Sequence, residues 1–85
     1  MKTLPDLSPD AVSVVPLEPR VLRVRFANGE LRDFDAGPLL ERKCYAPLKS
    51  DVLFRSARVS LGVVQWPNGL DIDPEWLYED SVPVK

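Results

Sequence analysis

The chain has 85 residues, a formal net charge of −2 and a pI near 5.0, and these totals exclude several classes of protein. A small acidic chain has no general electrostatic attraction for nucleic acid or for anionic membranes. Its apolar runs are far shorter than the stretch of about 18 residues that spans a bilayer. Residues 1–10 contain no hydrophobic segment of the signal-peptide type. Cys44 is the single cysteine, so no internal disulfide can form, and the reducing cytoplasm is the expected location.

The chain divides into a leader, one domain and a tail. Residues 1–10 are polar and proline-punctuated and predict a flexible leader, residues 11–80 predict a single domain, and residues 81–85 predict a flexible tail. Residues 11–17 are apolar and β-branched, which favours a first strand. Pro16 lacks the N–H that a sheet requires, so we expect that end of the strand to lie at an edge.

The next strand, residues 21–26, alternates in polarity. Leu22, Val24 and Phe26 share one face, and Arg23 and Arg25 share the other.

Asn28-Gly29 then predicts a tight hairpin turn of type I′, in which both residues have positive φ. A two-residue loop would place Phe26 opposite Leu31 and Arg25 opposite Arg32. Arg23, Arg25 and Arg32 would then form a stripe on the face away from Phe26.

The remaining elements are shorter. Asp35 is the expected N-cap of a short helix that runs through Arg42, and residues 45–51 are expected to be irregular. Residues 53–61 predict a strand with Ala57, Val59 and Leu61 facing inward, followed by a strand over residues 63–66. Pro67-Asn68-Gly69 predicts a second reversal before a short return strand at residues 70–72. The sequence Asp73-Pro74-Glu75 is a strong helix start, because it supplies a capping acid, a proline at the first helical position and an acid near the positive end of the helix dipole.

Two segments share nearly the same order of features. Residues 24–41 and 64–79 each contain a strand ending in an aromatic residue, an Asn-Gly turn, a short strand, an Asp and a Leu-centred helical turn ending in Glu. Duplication and convergence on a common hairpin-to-helix pattern both explain this. In either case we expect an α+β fold, with a small antiparallel sheet of about five or six strands, two short helices and two related hairpin–helix units.

The residues that usually carry catalysis are scarce. The chain has no His, which removes the usual general base at neutral pH and the commonest metal ligand. Cys44 has neither a His nor a Cys partner, so we expect it to be a buried structural residue. Asp71, Asp73 and Glu75 alternate like ligands of a hard cation, but the other ligands of a calcium loop are lacking and helix capping explains two of the three. We therefore predict no enzyme, no metal site and no cofactor.

Two sets of side chains are candidates for an interaction surface. In the arginine stripe, an acidic partner, nucleic acid or an internal acid such as Asp33 or Glu30 could separate the like charges, and simple solubilisation of an exposed sheet is the alternative explanation. The aromatic residues of the second unit pack into the core or anchor an interface. The candidate surface therefore contains Arg23, Arg25, Arg32, Trp66, Trp76 and Tyr78.

The segment at residues 66–78 (WPNGLDIDPEWLY) carries a family resemblance. Together with Phe26, Gly29, Phe34-Asp35, Leu39-Leu40, Leu48 and Phe54, it resembles the bacterial family of domains of unknown function 2442 (DUF2442), over residues 12–79. Trp76 stands at a position that varies in that family. The resemblance implies a compact α+β domain with no established activity and no catalytic residues to transfer. Some relatives are fused to helix-turn-helix modules or neighbour small toxin-like proteins, which implies regulation or partner binding.

These observations favour a non-catalytic cytoplasmic interaction or regulatory domain, acting as a homodimer or with a small protein partner and without a membrane. The alternative is a nucleic-acid-associated accessory or an antitoxin-like partner of a small toxin. Direct binding to nucleic acid is disfavoured by the acidic pI and by the lack of a recognition helix. The repeated signature itself is expected to be structural, and its residues are Asn28, Gly29, Asp35, Asn68, Gly69, Asp73 and Pro74.

Overall fold

The computed structural model describes residues 9–84, which contain seven strands, two short α-helices and two 3₁₀ helices. The strands are β1 Ala11–Leu17, β2 Val21–Phe26, β3 Leu31–Asp35, β4 Arg58–Ser60, β5 Val63–Gln65, β6 Asp71–Ile72 and β7 Val82–Pro83. The α-helices are α1 Asp51–Phe54 and α2 Pro74–Asp80, and the 3₁₀ helices are Pro38–Glu41 and Lys43–Lys49.

The strands form two antiparallel sheets, whereas a single sheet was expected. Together with the short helices, these sheets confirm the predicted α+β class. One sheet has the order β1-β2-β3-β7 and the other has the order β4-β5-β6. The N–H of Ala11 donates to the carbonyl of Gly62 at 3.0 Å, which joins the first strand to the second sheet. Strand β1, which contains Pro16, lies at a sheet edge as predicted. No helix within residues 9–84 is long and apolar enough to cross a membrane.

Both Asn-Gly loops have the same geometry, and at Asn28-Gly29 it differs from the predicted type I′ turn. The N–H of Gly29 donates to the carbonyl of Phe26, and the N–H of Phe26 donates to the carbonyl of Glu30. Gly69 and Trp66 repeat this pattern 40 residues later. In each loop the glycine has positive φ, +91° and +95°, and the asparagine does not. These are three-residue loops that end in a glycine bulge. The two-residue loop predicted at Asn28-Gly29 was therefore wrong, whereas the reversal predicted over Pro67-Asn68-Gly69 is confirmed.

The longer loop shifts the strand register by one residue. Arg25 pairs with Leu31 and Arg32 pairs with Val24, whereas the sequence predicted Phe26 opposite Leu31 and Arg25 opposite Arg32. A shift of one residue moves side chains to the opposite face of a strand. Arg32 therefore shares the inner face with Val24, and the predicted three-arginine stripe does not form.

A two-residue turn does occur, at Leu61-Gly62 between β4 and β5. Both residues have positive φ, +53° and +81°, as a type I′ turn requires. Leu61 is 98% exposed, so its predicted inward position was wrong. A Cβ atom at Gly62 would lie 2.7 Å from the Cγ atom of Asp10, so any other residue here would also require the Asp10 side chain to move.

The segment before β4 is helical where an irregular stretch and a long strand were predicted. Residues Lys43–Lys49 form a 3₁₀ helix, and residues Asp51–Phe54 form α1. The hydroxyl of Ser50 accepts the N–H of Leu53 at 3.3 Å and caps this helix. Only Arg58–Ser60 of the predicted strand is extended, and Phe54 at the end of α1 is 1% exposed.

Two predicted acidic caps have different outcomes. Asp73 caps α2 as expected, because its Oδ1 atom accepts the N–H of Glu75 at 2.8 Å. Asp35 instead accepts the N–H of Gly37 at 2.9 Å, and the 3₁₀ helix that begins at Pro38 has no side-chain cap.

Residues 81–83, which were predicted as part of a flexible tail, belong to the fold. Strand β7, Val82–Pro83, pairs with Arg32 and Asp33 of β3. Ser81 is 4% exposed. At the other end, residues 1–8 of the predicted leader lie outside the described residues, and the carbonyl of Asp10 accepts the N–H of Ala27 at 2.9 Å.

One apolar core joins the two sheets and the helices. Its largest fully buried side chains are Trp66, Phe26, Phe54, Leu22, Leu39, Leu48, Ile72 and Leu77. Burial of these side chains is the main driving force for a domain this small.

Candidate interaction site

Arg23 is held by a carboxylate of its own sheet. Its Nε and Nη2 atoms donate to the two carboxylate oxygens of Asp33 at 2.8 and 3.0 Å, and the two residues are direct cross-strand neighbours. These hydrogen bonds lower the pKa of Asp33 and raise the pKa of Arg23. Of the partners considered for this arginine, the internal acid is the one found.

Arg32 joins the first hairpin to the end of the chain. Its guanidinium donates to Glu30 Oε1, to Ser81 Oγ and to the Ser81 carbonyl, each at 2.7 Å. Its Cζ atom also lies 4.5 Å from the ring centroid of Tyr78. We call Arg32 with Glu30, Tyr78 and Ser81 the Arg32 cluster.

The tyrosine of the Arg32 cluster is engaged as well. The hydroxyl of Tyr78 donates to Glu30 Oε2 at 2.6 Å, and its ring packs edge-on against Phe26 at 5.1 Å. The hydrogen bond from Tyr78, followed by the one from Arg32, lowers the pKa of Glu30, and the same bond raises the pKa of Tyr78. Arg32 and Tyr78 therefore use their polar atoms within the fold.

Arg25 is the exposed member of the predicted arginine set. Since Arg23 and Arg32 are paired with carboxylates, the three side chains do not form a cationic strip that could follow a phosphate backbone. This arrangement weighs against the nucleic-acid alternative.

Trp66 is buried and offers no surface to a partner. It is 1% exposed, its indole N–H donates to the carbonyl of Phe54 at 3.0 Å, and its ring lies 6.5 Å from that of Phe54. Of its two alternatives, core packing is the one observed. Trp76 packs elsewhere, against Phe34 and Tyr45, so the two tryptophans belong to separate aromatic clusters.

A groove opens beside Trp76, between the end of β3, the first 3₁₀ helix and α2. It has a volume of about 420 Å³, within the range of about 300–1,000 Å³ typical of ligand sites. We call it the Trp76 groove, and its lining residues are Phe34, Asp35, Pro38, Leu39, Arg42, Trp76 and Asp80.

Several contacts orient Trp76 in this groove. Its ring packs edge-on against Phe34 and Tyr45, with centroids 6.3 and 6.2 Å away. Its indole N–H donates to Asp80 Oδ2 at 2.6 Å, one helical turn further along α2. The guanidinium carbon of Arg42 lies 4.9 Å from the ring centroid, so a cation already covers one face.

Tyr45 supports the same cluster from the second 3₁₀ helix. Its hydroxyl donates to the carbonyl of Asp71 at 2.6 Å, and burial raises its pKa. This contact joins the segment that carries Arg42 to the second sheet. The aromatic cluster of Phe34, Tyr45 and Trp76 is therefore supported by both sheets.

Two carboxylates in the lining of the groove have no basic partner within residues 9–84. Asp35 accepts a backbone N–H and Asp80 accepts the Trp76 indole N–H. Among the described residues, neither takes part in an ion pair, whereas Arg20, Arg23, Arg32 and Arg55 each do.

The groove was only partly anticipated from the sequence. Trp76 was a candidate, and the spacing of four residues between Trp76 and Asp80 on a predicted helix could have indicated their contact. Asp35 was assigned a capping role, and Arg42 and Tyr45 carried no signal, because elements distant in sequence bring them to Trp76.

Cys44 is exposed, so its prediction as a buried residue was wrong. It lies in the second 3₁₀ helix, two positions after Arg42. Within residues 9–84, no group of three or more His, Cys, Asp or Glu side chains is arranged to hold a metal ion.

The hairpins, the helices and β7 all fall within one family match. The model of the family described as "Protein of unknown function (DUF2442)" matches residues 11–83. The chain belongs to the DUF2442 family. The match spans both sheets of this DUF2442 domain and includes every residue that lines the Trp76 groove. No curated protein and no solved structure matches the DUF2442 domain significantly.

Proposed function

We propose that this DUF2442 domain is a non-catalytic interaction domain that binds a segment of a partner protein in the Trp76 groove. The observation that carries the proposal is a partly exposed tryptophan held in a fixed orientation within a 420 Å³ groove that has charged residues in its lining. Tryptophan and arginine are the residue types most enriched among those that dominate binding energy at protein interfaces.

The groove combines features that an interface requires. Phe34 and Leu39 supply an apolar floor, and Asp35, Arg42 and Asp80 supply charges that can fix the orientation of a partner. The aromatic cluster around Trp76 limits its rotamers before binding, so little conformational entropy remains to be lost on association.

We place this function in the cytoplasm, because an exposed unpaired cysteine such as Cys44 is best tolerated where thiols stay reduced. The partner is a different small protein or a second copy of this chain. Light scattering over a range of concentrations separates the two, since a mass that stays at 9.6 kDa excludes a homodimer.

Cys44 offers a direct test, because it is the single cysteine and stands close to the groove in sequence. A thiol-reactive photocrosslinker on Cys44 should capture one partner from an extract of the source cells. Asp80→Lys should abolish that capture without lowering the melting temperature by more than a few degrees. The matched control carries the crosslinker on Arg25→Cys in a Cys44→Ser background, on the exposed face of β2.

Capture of the same proteins from both positions, or capture that survives Asp80→Lys, would refute the proposal. The nucleic-acid alternative is tested by titrating a labelled duplex at low salt, where phosphate contacts contribute most. Saturable binding that Arg25→Ala weakens would favour that alternative.

A further inference from the structure

The residues that line the Trp76 groove indicate which chemical group of a partner it binds. On the basis of the proposed function, we propose that the groove recognises an arginine side chain of the partner protein and that Arg42 occupies the same position until the partner displaces it.

Arg42 already lies against one face of the Trp76 ring. Its guanidinium carbon stands 4.9 Å from the centroid of Trp76, inside the distance of about 6 Å at which a cation is attracted to an aromatic face. This ring face is therefore shaped and oriented for a guanidinium.

The described residues that line the groove carry a net negative charge. Asp35 and Asp80 contribute two carboxylates, and Arg42 is the single cation among the described residues of the lining, so these residues carry one excess negative charge. When a guanidinium of the partner replaces Arg42 on the ring, Arg42 moves into water. The partner's positive charge then lies near Asp35 and Asp80, which have no basic partner among the described residues. This charge complementarity selects a cationic ligand.

The side chain of Arg42 is held less firmly by the fold than those of Arg23 and Arg32. Arg23 and Arg32 are held by two or more hydrogen bonds to groups of the fold. Arg42 is an exposed residue that stacks on Trp76 and belongs to none of the ion pairs within residues 9–84. Its displacement breaks one stacking contact, so its effect on partner affinity is only a few-fold.

The groove is expected to favour the guanidinium of arginine over the ammonium of lysine. A planar guanidinium can stack on the indole and still direct N–H groups from its edge toward carboxylates, whereas an ammonium acts as a hydrated point charge. With a ring face and two carboxylates in one groove, the geometry points to arginine.

The test uses purified ¹⁵N-labelled protein and N-acetyl-arginine amide as the probe. We expect saturable shifts of the Trp76 indole N–H signal, while the indole of Trp66, buried against Phe54, serves as an internal reference. N-acetyl-citrulline amide has nearly the same shape without the charge and should leave both signals in place.

Two variants test the role of each charge. Arg42→Ala vacates the ring and should tighten probe binding by about 2- to 5-fold, the range expected for one exposed cation–π contact. Asp80→Asn keeps an acceptor for the indole N–H but removes a charge, so it should weaken binding by a similar factor. Equal shifts with citrulline, no saturable shift at Trp76, or weaker binding in Arg42→Ala would overturn the inference.

The outcome is distinguishable from failure of the proposed function. A captured partner that is lost in Asp80→Lys but is not displaced by excess N-acetyl-arginine amide would leave the Trp76 groove as the binding site and overturn arginine as its ligand. Displacement by the arginine amide, with no displacement by the citrulline amide, would support the ligand and the site together.

Discussion

Replacement of Arg32 by alanine should destabilise the domain far more than its predicted place on an exposed stripe would imply. The Arg32 side chain is 14% exposed, donates to both the hydroxyl and the carbonyl of Ser81, and stacks on Tyr78. Hydrogen bonds from a charged group contribute about 1.5–3 kcal/mol, and the stacking contact contributes about 0.5–1 kcal/mol. Since these contacts act together, we expect a loss of about 2–4 kcal/mol from the free energy of unfolding.

Urea and thermal unfolding followed by circular dichroism would measure this loss. For a domain of this size, 1 kcal/mol corresponds to about 4–8 °C in melting temperature, so Arg32→Ala should melt at least about 10 °C below the wild type. Arg25→Ala is the matched control, because Arg25 is exposed and forms none of the ion pairs found within residues 9–84; it should change stability by less than about 0.5 kcal/mol. Equal losses in the two variants would refute the role assigned to the Arg32 cluster.

The remaining predictions concern acid stability, a turn and the two tryptophans. The folded-state pKa of Glu30 is lowered, so its stabilising effect is complete above the ordinary glutamate pKa and is lost as the pH falls through the folded value. Urea midpoints from about pH 7 to about pH 3 should therefore fall less steeply in Glu30→Gln, and an unchanged slope would contradict this. Leu61→Asn should raise the free energy of unfolding by up to about 1 kcal/mol, because Leu61 is 98% exposed at φ +53° and asparagine tolerates that conformation better; a loss of stability in urea would argue against it. Acrylamide should quench Trp fluorescence weakly in Trp76→Phe, since the remaining Trp66 is 1% exposed, and strong quenching there would place Trp66 at the surface.

Strand β2 and helix α2 were predictable from the sequence because their signals are local. Alternation of apolar and charged residues defines β2, and Asp73-Pro74 defines the start of α2. The similarity between the two hairpins was also predictable, and both loops close with the same hydrogen bonds.

The face occupied by Arg32 could not be predicted in the same way. An Asn-Gly pair is compatible both with a two-residue loop and with a three-residue loop ending in a glycine bulge, and the two choices place Arg32 on opposite faces. The loop chosen here brings Arg32 to Ser81 and Tyr78, almost 50 residues further along the chain. No local pattern carries that information.

Two further misses have physical causes. Strand β7 has two residues, one of them proline, and it exists only because β3 offers an edge beside α2. The start of α1 did carry a signal, since Ser50-Asp51 combines a capping hydroxyl with an acid in the first turn. The strand predicted over residues 53–61 left this signal out of account.

The Trp76 groove was predictable only in part. Trp76 and Asp80 are neighbours on one helix, but Asp35 and Arg42 join them only through the packing of β3 and the first 3₁₀ helix against α2. Site prediction from one sequence finds such a tryptophan and misses the charged residues that line its groove.

If the proposed function is correct, the Trp76 groove is covered when the domain binds its partner. The indole N–H signal of Trp76 in ¹⁵N-labelled protein, measured before and after addition of the partner captured through Cys44, reports this directly. We expect the Trp76 signal to shift while that of the buried Trp66 stays in place, and we expect Asp80→Lys to prevent the shift. A complex that forms with the Trp76 signal unchanged would contradict the proposed function.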